Sequence, residues 1–181
     1  HLTIYAPDCY DKLGTYAQMN PPIRDKSHYD RLWYAVKNNL NDTIGSDHAP
    51  HLKKNKEKVY PNSPSGMPGV QTLMPVMLDH INAGKLSINQ LISFVCENPV
   101  KIFGIKNKGF IKEKYDADLT IVDMNKKITI KNENILSKCK WSPFNNIEFK
   151  GTPVATIIAG KIKMKDGEIM GDPDGSPLIF N

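Results

Sequence analysis

The sequence has few cysteines, and their positions exclude two common kinds of structural site. Cys9, Cys96 and Cys139 are odd in number, far apart and never in a Cys-x-x-Cys arrangement. Neither a disulfide framework nor a cysteine-based structural zinc site is therefore expected. The chain also has no run of about 18 apolar residues and no charged-then-apolar leader, so that we expect no membrane partner and a cytoplasmic location.

Clusters of arginine with interleaved aromatic residues are absent as well. The net charge of +5 comes from lysines that are scattered along the chain. Such a composition is more typical of a solvated surface than of a nucleic-acid interface, and no nucleic-acid partner is expected. The 40% apolar content of the 181 residues is ordinary for a globular protein with a sizeable core.

The first residue is unusual for the start of a protein. The chain begins with His1 rather than Met and enters an apolar run, Leu2 to Tyr5, at once. We therefore expect it to be a portion of a longer protein.

The first hundred residues alternate between segments that favour strands and segments that favour helices. Short strands are predicted at residues 1–5, 15–19 and 42–44. Between the last two, from Asp25 or Ser27 to Leu40, apolar residues recur at intervals of three and four, which indicates an amphipathic helix. The order strand, helix, strand is typical of a parallel sheet in an α/β protein.

Near residue 105 the predicted secondary structure changes from helices to strands. Helices are predicted at residues 70–82, 87–96 and 100–103. Short β-rich segments follow at 117–123 and 127–130, and residues 155–158 and 162–164 predict a hairpin. We predict two parts, an α/β part over residues 1–104 and a small β domain with an extended tail over residues 105–181.

The densest group of chemically active side chains follows the strand predicted at 42–44. It contains Asp47, His48 and His51. Asn20 ends the preceding predicted strand, so that both groups would meet beyond the carboxyl ends of a parallel sheet. A carboxylate there can bind a divalent metal and accept a proton. The alternative is structural: Asp47 caps a turn and His48 packs in the core.

Four segments together resemble the dihydroorotases, a family of cyclic amidohydrolases. The match departs from the family at Gln71, where many members have glutamate. The segments are Asn20-Pro21-Pro22-Ile23-Arg24, Gly45 to His51 with Lys56, Ser65 to Thr72, and Asp116 to Asp123.

The resemblance implies the C-terminal part of a (β/α)8 amidohydrolase barrel followed by a small β-sandwich domain. It implies that Asp47 is both a Zn2+ ligand and the catalytic acid/base, that Asn20 and His51 bind the substrate, and that Ser65 and Gly66 belong to the loop that closes on it. The reaction would be the reversible cyclisation of N-carbamoyl-L-aspartate to dihydroorotate in pyrimidine synthesis. The other ligands of the family's binuclear zinc centre would precede His1, and the chain alone would be inactive.

The resemblance leaves several partners and functions open. The implied partners are the small-molecule substrate, the N-terminal part of the same enzyme, a second copy in a homodimer, and aspartate transcarbamoylase. One alternative function is a non-catalytic module that associates with another pyrimidine-pathway enzyme. Another is a hydantoinase-like or allantoinase-like hydrolase, although hydantoinases typically lack a histidine at the position of His51.

Five further side chains have structural explanations beside functional ones. His48 either orients Asp47 or packs under the loop. Arg24 opens a surface helix, where an arginine is more often solvated than catalytic. His28 and His80, like His1, have no partner at a spacing that would indicate a site, and we expect structural roles for them.

Overall fold

A computed structural model describes all 181 residues, and its helices precede its strands along the chain. A 3-10 turn, Gly14–Ala17, follows the first helix, and a π-helical turn, Ser93–Glu97, follows the fifth. None of the helices has the length and apolar composition needed to cross a bilayer. The helices are α1 (Asp8–Leu13), α2 (Lys26–Lys37), α3 (Lys53–Lys56), α4 (Leu73–Asn82), α5 (Ile88–Ile92) and α6 (Asn98–Phe103).

Helix α2 confirms the amphipathic pattern between the second and third predicted strands. The side chain of Asp25 accepts a hydrogen bond from the backbone N–H of Ser27 and so caps the first turn. Trp33 and Val36 are buried on the inner face of the helix, as their spacing of three predicts. The sequence therefore determines both the start and the orientation of this helix.

The helices predicted between residues 70 and 103 are also confirmed, with one difference. Pro75 is tolerated because it lies in the first turn of α4, where backbone N–H groups have no partner within the helix. Ser87 opens α5 with a reciprocal capping box. The expected break at Asn98-Pro99 does not occur, because the π-helical turn joins α5 to α6, which ends at Gly104 in a left-handed conformation.

The C-terminal half forms one antiparallel sheet with the strand order β1-β2-β3-β4. The two β segments predicted at 117–123 and 127–130 form one strand that contains two register shifts, one of them between the predicted segments. The predicted hairpin is formed, a second hairpin follows it, and Ala159 and Asp166 adopt positive φ angles in the two turns. The strands are β1 (Leu119–Thr129), β2 (Glu148–Ile158), β3 (Lys161–Lys165) and β4 (Glu168–Ile169).

The three strands predicted in the first fifty residues are wrong. Residues 15–19 begin within the 3-10 turn, and residues 1–5 and 42–44 are not assigned to strands. Only single parallel bridges occur there, between Ala6 and Asp25 and between His48 and Met67. A strand is stable only beside a neighbour that completes its ladder, and these segments have none within the chain. The α/β class is confirmed, but the one sheet is antiparallel.

The hydrophobic core crosses residue 104, where the two predicted parts meet. One buried cluster combines Cys9, Ile23 and Val76 from the first part with Trp141 and Phe149 from the second. Helix α4 also lies against β2: the carboxylate of Asp79 accepts from the N–H of Lys150, and the side-chain amide of Asn82 donates to the carbonyl of the same residue. The two parts therefore share one core.

His80 on α4 has the structural role that we expected, and it makes stability depend on pH. Its ring is buried, packs edge-on against Trp33 at 4.8 Å between ring centroids, and lies 3.3 Å from the Thr3 hydroxyl. Burial, followed by the positive charge of Lys85, lowers the pKa of His80 from 6.5 to about 4, against a smaller opposing effect of Asp79.

Between these two pKa values the unfolded chain binds a proton at His80 that the folded chain does not bind. The free energy of unfolding should therefore be highest above pH 6.5 and fall as the pH decreases toward 4, by up to about 3 kcal/mol from this residue. Urea unfolding of wild type and His80→Phe at pH 7, 5.5 and 4.5 checks this. An equal decrease in both proteins would assign the pH dependence to other groups.

Candidate functional site

Asp47 lies in the irregular segment between α2 and α3. The segment before it is held by a backbone hydrogen bond from Ile44 to Phe94, whereas the Asp47 side chain is exposed. Its φ angle is +43°, in a left-handed region that is unfavourable for most residues and that aspartate tolerates better than most. Seven other non-glycine residues also have positive φ angles, among them Ala159 and Asp166 in hairpin turns, so that this geometry agrees equally with a catalytic Asp47 and with one that occupies a turn.

His48 holds the glycine-rich loop and is not a core histidine. It is exposed, and its Nδ1 accepts hydrogen bonds from the backbone N–H groups of Gly69 at 3.0 Å and Val70 at 3.3 Å. Beside it, the N–H of Ala49 donates to the carbonyl of Met67 at 2.9 Å. The two alternatives from the sequence, orienting Asp47 and packing under the loop, did not include these bonds from His48 to the backbone of another loop.

His51 contacts the same loop further along the chain. Its half-buried ring bonds through Nε2 to the carbonyl of Ser65 at 2.9 Å, and its own carbonyl accepts from the indole N–H of Trp141 at 2.7 Å. Gly66 follows with a φ angle of +135°. A Cβ atom there would lie 2.6 Å from the Cβ of Ala49 and 3.2 Å from the His51 ring, so that only glycine fits this close approach.

The segment that contains Asn20 is tied to this loop through Gln18. The carbonyl of Gln18 accepts from the N–H of Gly66 at 2.9 Å and from the ammonium of Lys56 at 2.8 Å. The same ammonium donates to the carbonyl of Pro64 at 2.8 Å. The side chain of Asn20, two residues after Gln18, is exposed. These bonds bring the Gln18 segment together with Lys56 and with the Pro64–Gly66 segment.

Lys56 is the component of this arrangement to which the sequence assigned no role. It lies in a lysine-rich helix whose other lysines, Lys53 and Lys54, are exposed, whereas Lys56 has no exposed surface. Burial lowers the pKa of its ammonium to about 8. The only sequence signal was its fixed distance from His51 in the dihydroorotase-like segment, since the surrounding lysines suggest a solvated surface.

Gln71 connects the glycine-rich loop to the β part. Its side-chain amide donates to the carbonyl of Asn134 and accepts from the N–H of Leu136, both at 2.9 Å. A cavity of about 300 Å3 lies between the loop and this segment, with His48 and Trp141 in its wall. The glutamine that departs from the family pattern therefore bonds to backbone groups of the β part.

The donor atoms in the chain do not form a complete zinc site. No group of three or more histidine, cysteine, aspartate or glutamate side chains is placed to hold a metal ion. Asp47 offers one exposed carboxylate, while Nδ1 of His48 and Nε2 of His51 are bonded to backbone groups. A structural zinc centre needs about four ligands and a catalytic one about three, so that these residues alone do not fit the metal.

The remaining candidates lie outside this arrangement. Arg24 and His28 are exposed, and both line a separate cavity of about 410 Å3 beside α2. The three cysteines are all free thiols. The structure thus joins His51 to Ser65, and Gly66 to Gln18, which lies two residues before Asn20. The roles assigned to Asn20, His51, Ser65, Gly66 and Asp47 stay predictions.

The amidohydrolase family profile matches residues 22–163 of the chain. Among curated proteins, the dihydroorotase of Pyrococcus furiosus is 38% identical over 179 residues, which are 99% of this chain and 41% of the relative. The L-hydantoinase of Paenarthrobacter aurescens is 34% identical over 94% of this chain and 38% of its own length.

Solved structures of hydantoinases have the same fold over this region. The chain superposes on L-hydantoinase (dihydropyrimidinase) from Arthrobacter aurescens with a TM-score of 0.89 and 34% identity, over 94% of this chain and 39% of that one. For D-hydantoinase from a Thermus species the values are 0.87 and 25%. The chain spans about 40% of the length of the relatives that it matches.

Proposed function

This chain belongs to the amidohydrolase family, and from that membership we propose that it is the C-terminal part of a zinc-dependent dihydroorotase. The observation that carries the proposal is the meeting of three segments at one place. Gly66 donates to Gln18, two residues before Asn20, and Ser65 accepts from His51, four residues after Asp47. A binding site forms where residues that are distant in the sequence lie close together.

In this proposal Asp47 carries the proton. Its carboxylate accepts a proton from the water that attacks the ring amide carbon of dihydroorotate. It then returns the proton to the ring nitrogen as the carbon–nitrogen bond breaks, which gives N-carbamoyl-L-aspartate. The exposed carboxylate of Asp47 supports this role. Asp47 would also contribute one ligand to Zn2+.

The other site residues would hold the substrate. Asn20 offers an amide with both donor and acceptor atoms, and the backbone of Ser65 and Gly66 would lie along the ring. Because Nε2–H of His51 donates to the Ser65 carbonyl, a doubly protonated His51 ring would bind the substrate carboxylate through Nδ1–H. A hydrogen bond to an ionised carboxylate is stronger than one between neutral groups.

The test is an assay of the complete gene product on four substrates, with zinc analysis of the purified protein. We expect turnover of dihydroorotate and N-carbamoyl-L-aspartate, and little turnover of hydantoin or allantoin. A preference for hydantoin would replace the proposed substrate. Absence of all four activities in folded, zinc-replete protein would favour the non-catalytic module.

His51→Ala should raise KM for dihydroorotate about 10- to 150-fold, because a hydrogen bond to a charged group contributes about 1.5–3 kcal/mol. Steady-state kinetics on dihydroorotate and on dihydrouracil, which lacks the carboxylate, measures the effect. We expect a much smaller change for dihydrouracil.

The matched control is His28→Ala, which removes an exposed histidine on α2 that is remote from the loop. Its KM values should equal those of wild type. Equal increases in KM for dihydroorotate and dihydrouracil in His51→Ala would mean that His51 only supports the Ser65 loop and does not bind the carboxylate.

A hydantoinase is the second candidate, because the superposed structures are hydantoinases. The presence of His51 in this chain favours a substrate that bears a carboxylate. The same four-substrate assay separates the two candidates.

The larger architecture is part of the same proposal. Residues 1–104 would complete a (β/α)8 barrel with preceding residues, and residues 105–181 would contribute to a β-sandwich. The reduced cysteines favour the cytoplasm. Homodimerisation and association with aspartate transcarbamoylase can be tested by size-exclusion chromatography of the complete gene product with and without that enzyme.

A further inference from the structure

The ammonium of Lys56 occupies an unusual environment for a charged group. The residue has no exposed surface, and burial is the cause that lowers its pKa to about 8. Its partners are two backbone carbonyls and the ring of Trp141, whose centroid lies 6.0 Å from Nζ. Burying an ammonium without a carboxylate is unfavourable, and an apolar side chain of the same length would fill the space without that penalty.

The two carbonyls belong to different segments of the proposed site. Gln18 lies two residues before Asn20, and Pro64 comes directly before Ser65. Lys56 donates to both at 2.8 Å. No apolar side chain could make these two bonds, because each carbonyl requires a donor.

The backbone of Lys56 is fixed as well. Its carbonyl accepts from the hydroxyl of Thr15 at 2.5 Å and from the hydroxyl of Ser63 at 3.0 Å. Thr15 precedes the Asn20 segment and Ser63 precedes the Ser65 loop. Lys56 is therefore joined to both segments twice, through its backbone carbonyl and through its ammonium group.

We propose that Lys56 is a positioning residue, whose ammonium links the Gln18 and Pro64 carbonyls and so sets the distance between Asn20 and the Ser65–Gly66 loop. This inference rests on the proposed function in that these residues bind the substrate. Lys56 itself touches no reacting atom. Its loss should weaken substrate binding more than it slows the chemical step.

Lys56→Met in the complete gene product tests the link, because methionine keeps most of the volume and removes the donors. We expect KM for dihydroorotate to rise about tenfold or more, as the loss of hydrogen bonds from a charged group predicts, with kcat changed much less. The matched control is Lys54→Met, which makes the same substitution at an exposed lysine of the same helix. Its KM should remain at the wild-type value.

Two further measurements separate positioning from simple structural support. In Lys56→Ala, added n-propylammonium should restore KM, whereas n-propanol should not. Hydrogen exchange of the Gly66 amide, which donates to Gln18, should be faster in Lys56→Met than in wild type. Hydrogen exchange does not require catalysis. If wild type failed to turn over dihydroorotate, the proposed function would be rejected, but exchange at Gly66 would still test whether Lys56 links the two segments.

The proposal would be overturned by a lowered melting temperature with unchanged KM and unchanged exchange at Gly66. Failure of both Lys56 variants to fold would also overturn the proposal. The lysine would then stabilise the whole fold and would not specifically set the distance between Asn20 and the Ser65–Gly66 loop.

Discussion

Asp47→Asn in the complete gene product should lower kcat for dihydroorotate hydrolysis by about 10²- to 10⁴-fold, the contribution typical of a general acid or base. The substitution keeps the size of the side chain and removes its ability to take up a proton. Asparagine also tolerates the positive φ angle of this position. Steady-state kinetics measures the effect, and circular dichroism together with zinc analysis checks that the variant is folded and holds its metal.

Asp42→Asn is the matched control for this prediction. Asp42 is an exposed aspartate on the same segment, five residues earlier, and its substitution should leave kcat at the wild-type value. If Asp47→Asn retained activity within a few-fold of wild type, Asp47 would not be the proton carrier. The structural alternative, in which it only occupies a turn, would then be favoured.

Gly66→Ala should displace the loop that joins the proposed binding segments. The φ angle of +135° is strained for any side chain, and the new Cβ would lie 2.6 Å from the Cβ of Ala49 and 2.9 Å from its carbonyl oxygen. Strain and overpacking together should lower the free energy of unfolding by about 2–4 kcal/mol. We expect a loss of activity as well, because the bond from Gly66 to Gln18 would be broken.

Urea unfolding and kinetics measure the two effects of Gly66→Ala. Gly45→Ala is the control, since Gly45 has no positive φ angle and no atom within 4 Å of the position of a Cβ. It should change stability by less than about 1 kcal/mol. Wild-type stability and KM in Gly66→Ala would show that the loop accommodates a side chain and that its close approach to Ala49 is not required.

Residues whose signals are local could be predicted from the sequence. Asp25 caps α2, Ser87 forms a capping box at α5, and the turn at Ala159 closes the predicted hairpin. Each signal acts within a few residues, through a side chain that bonds to nearby backbone or through a φ angle that a turn requires. Such interactions form wherever the segment lies in the fold.

Segments that depend on distant partners could not be predicted in the same way. Residues 1–5 and 42–44 have β-rich sequences and form no strands, because strand formation requires a neighbouring strand that the chain does not supply. The sequence also left open whether His48 orients Asp47 or packs under the loop. Its bonds to Gly69 and Val70 arise from a loop about twenty residues away.

The sequence by itself determined the helical segments, the predicted hairpin and the family resemblance that identifies Asp47, His51, Asn20 and the Ser65–Gly66 loop as candidates. Only the tertiary structure decided that one lysine among several exposed neighbours is buried and bonds to Gln18 and Pro64. The physical reason is that burial and long-range hydrogen bonds depend on which segments meet in space, whereas helix caps and turns depend on adjacent residues.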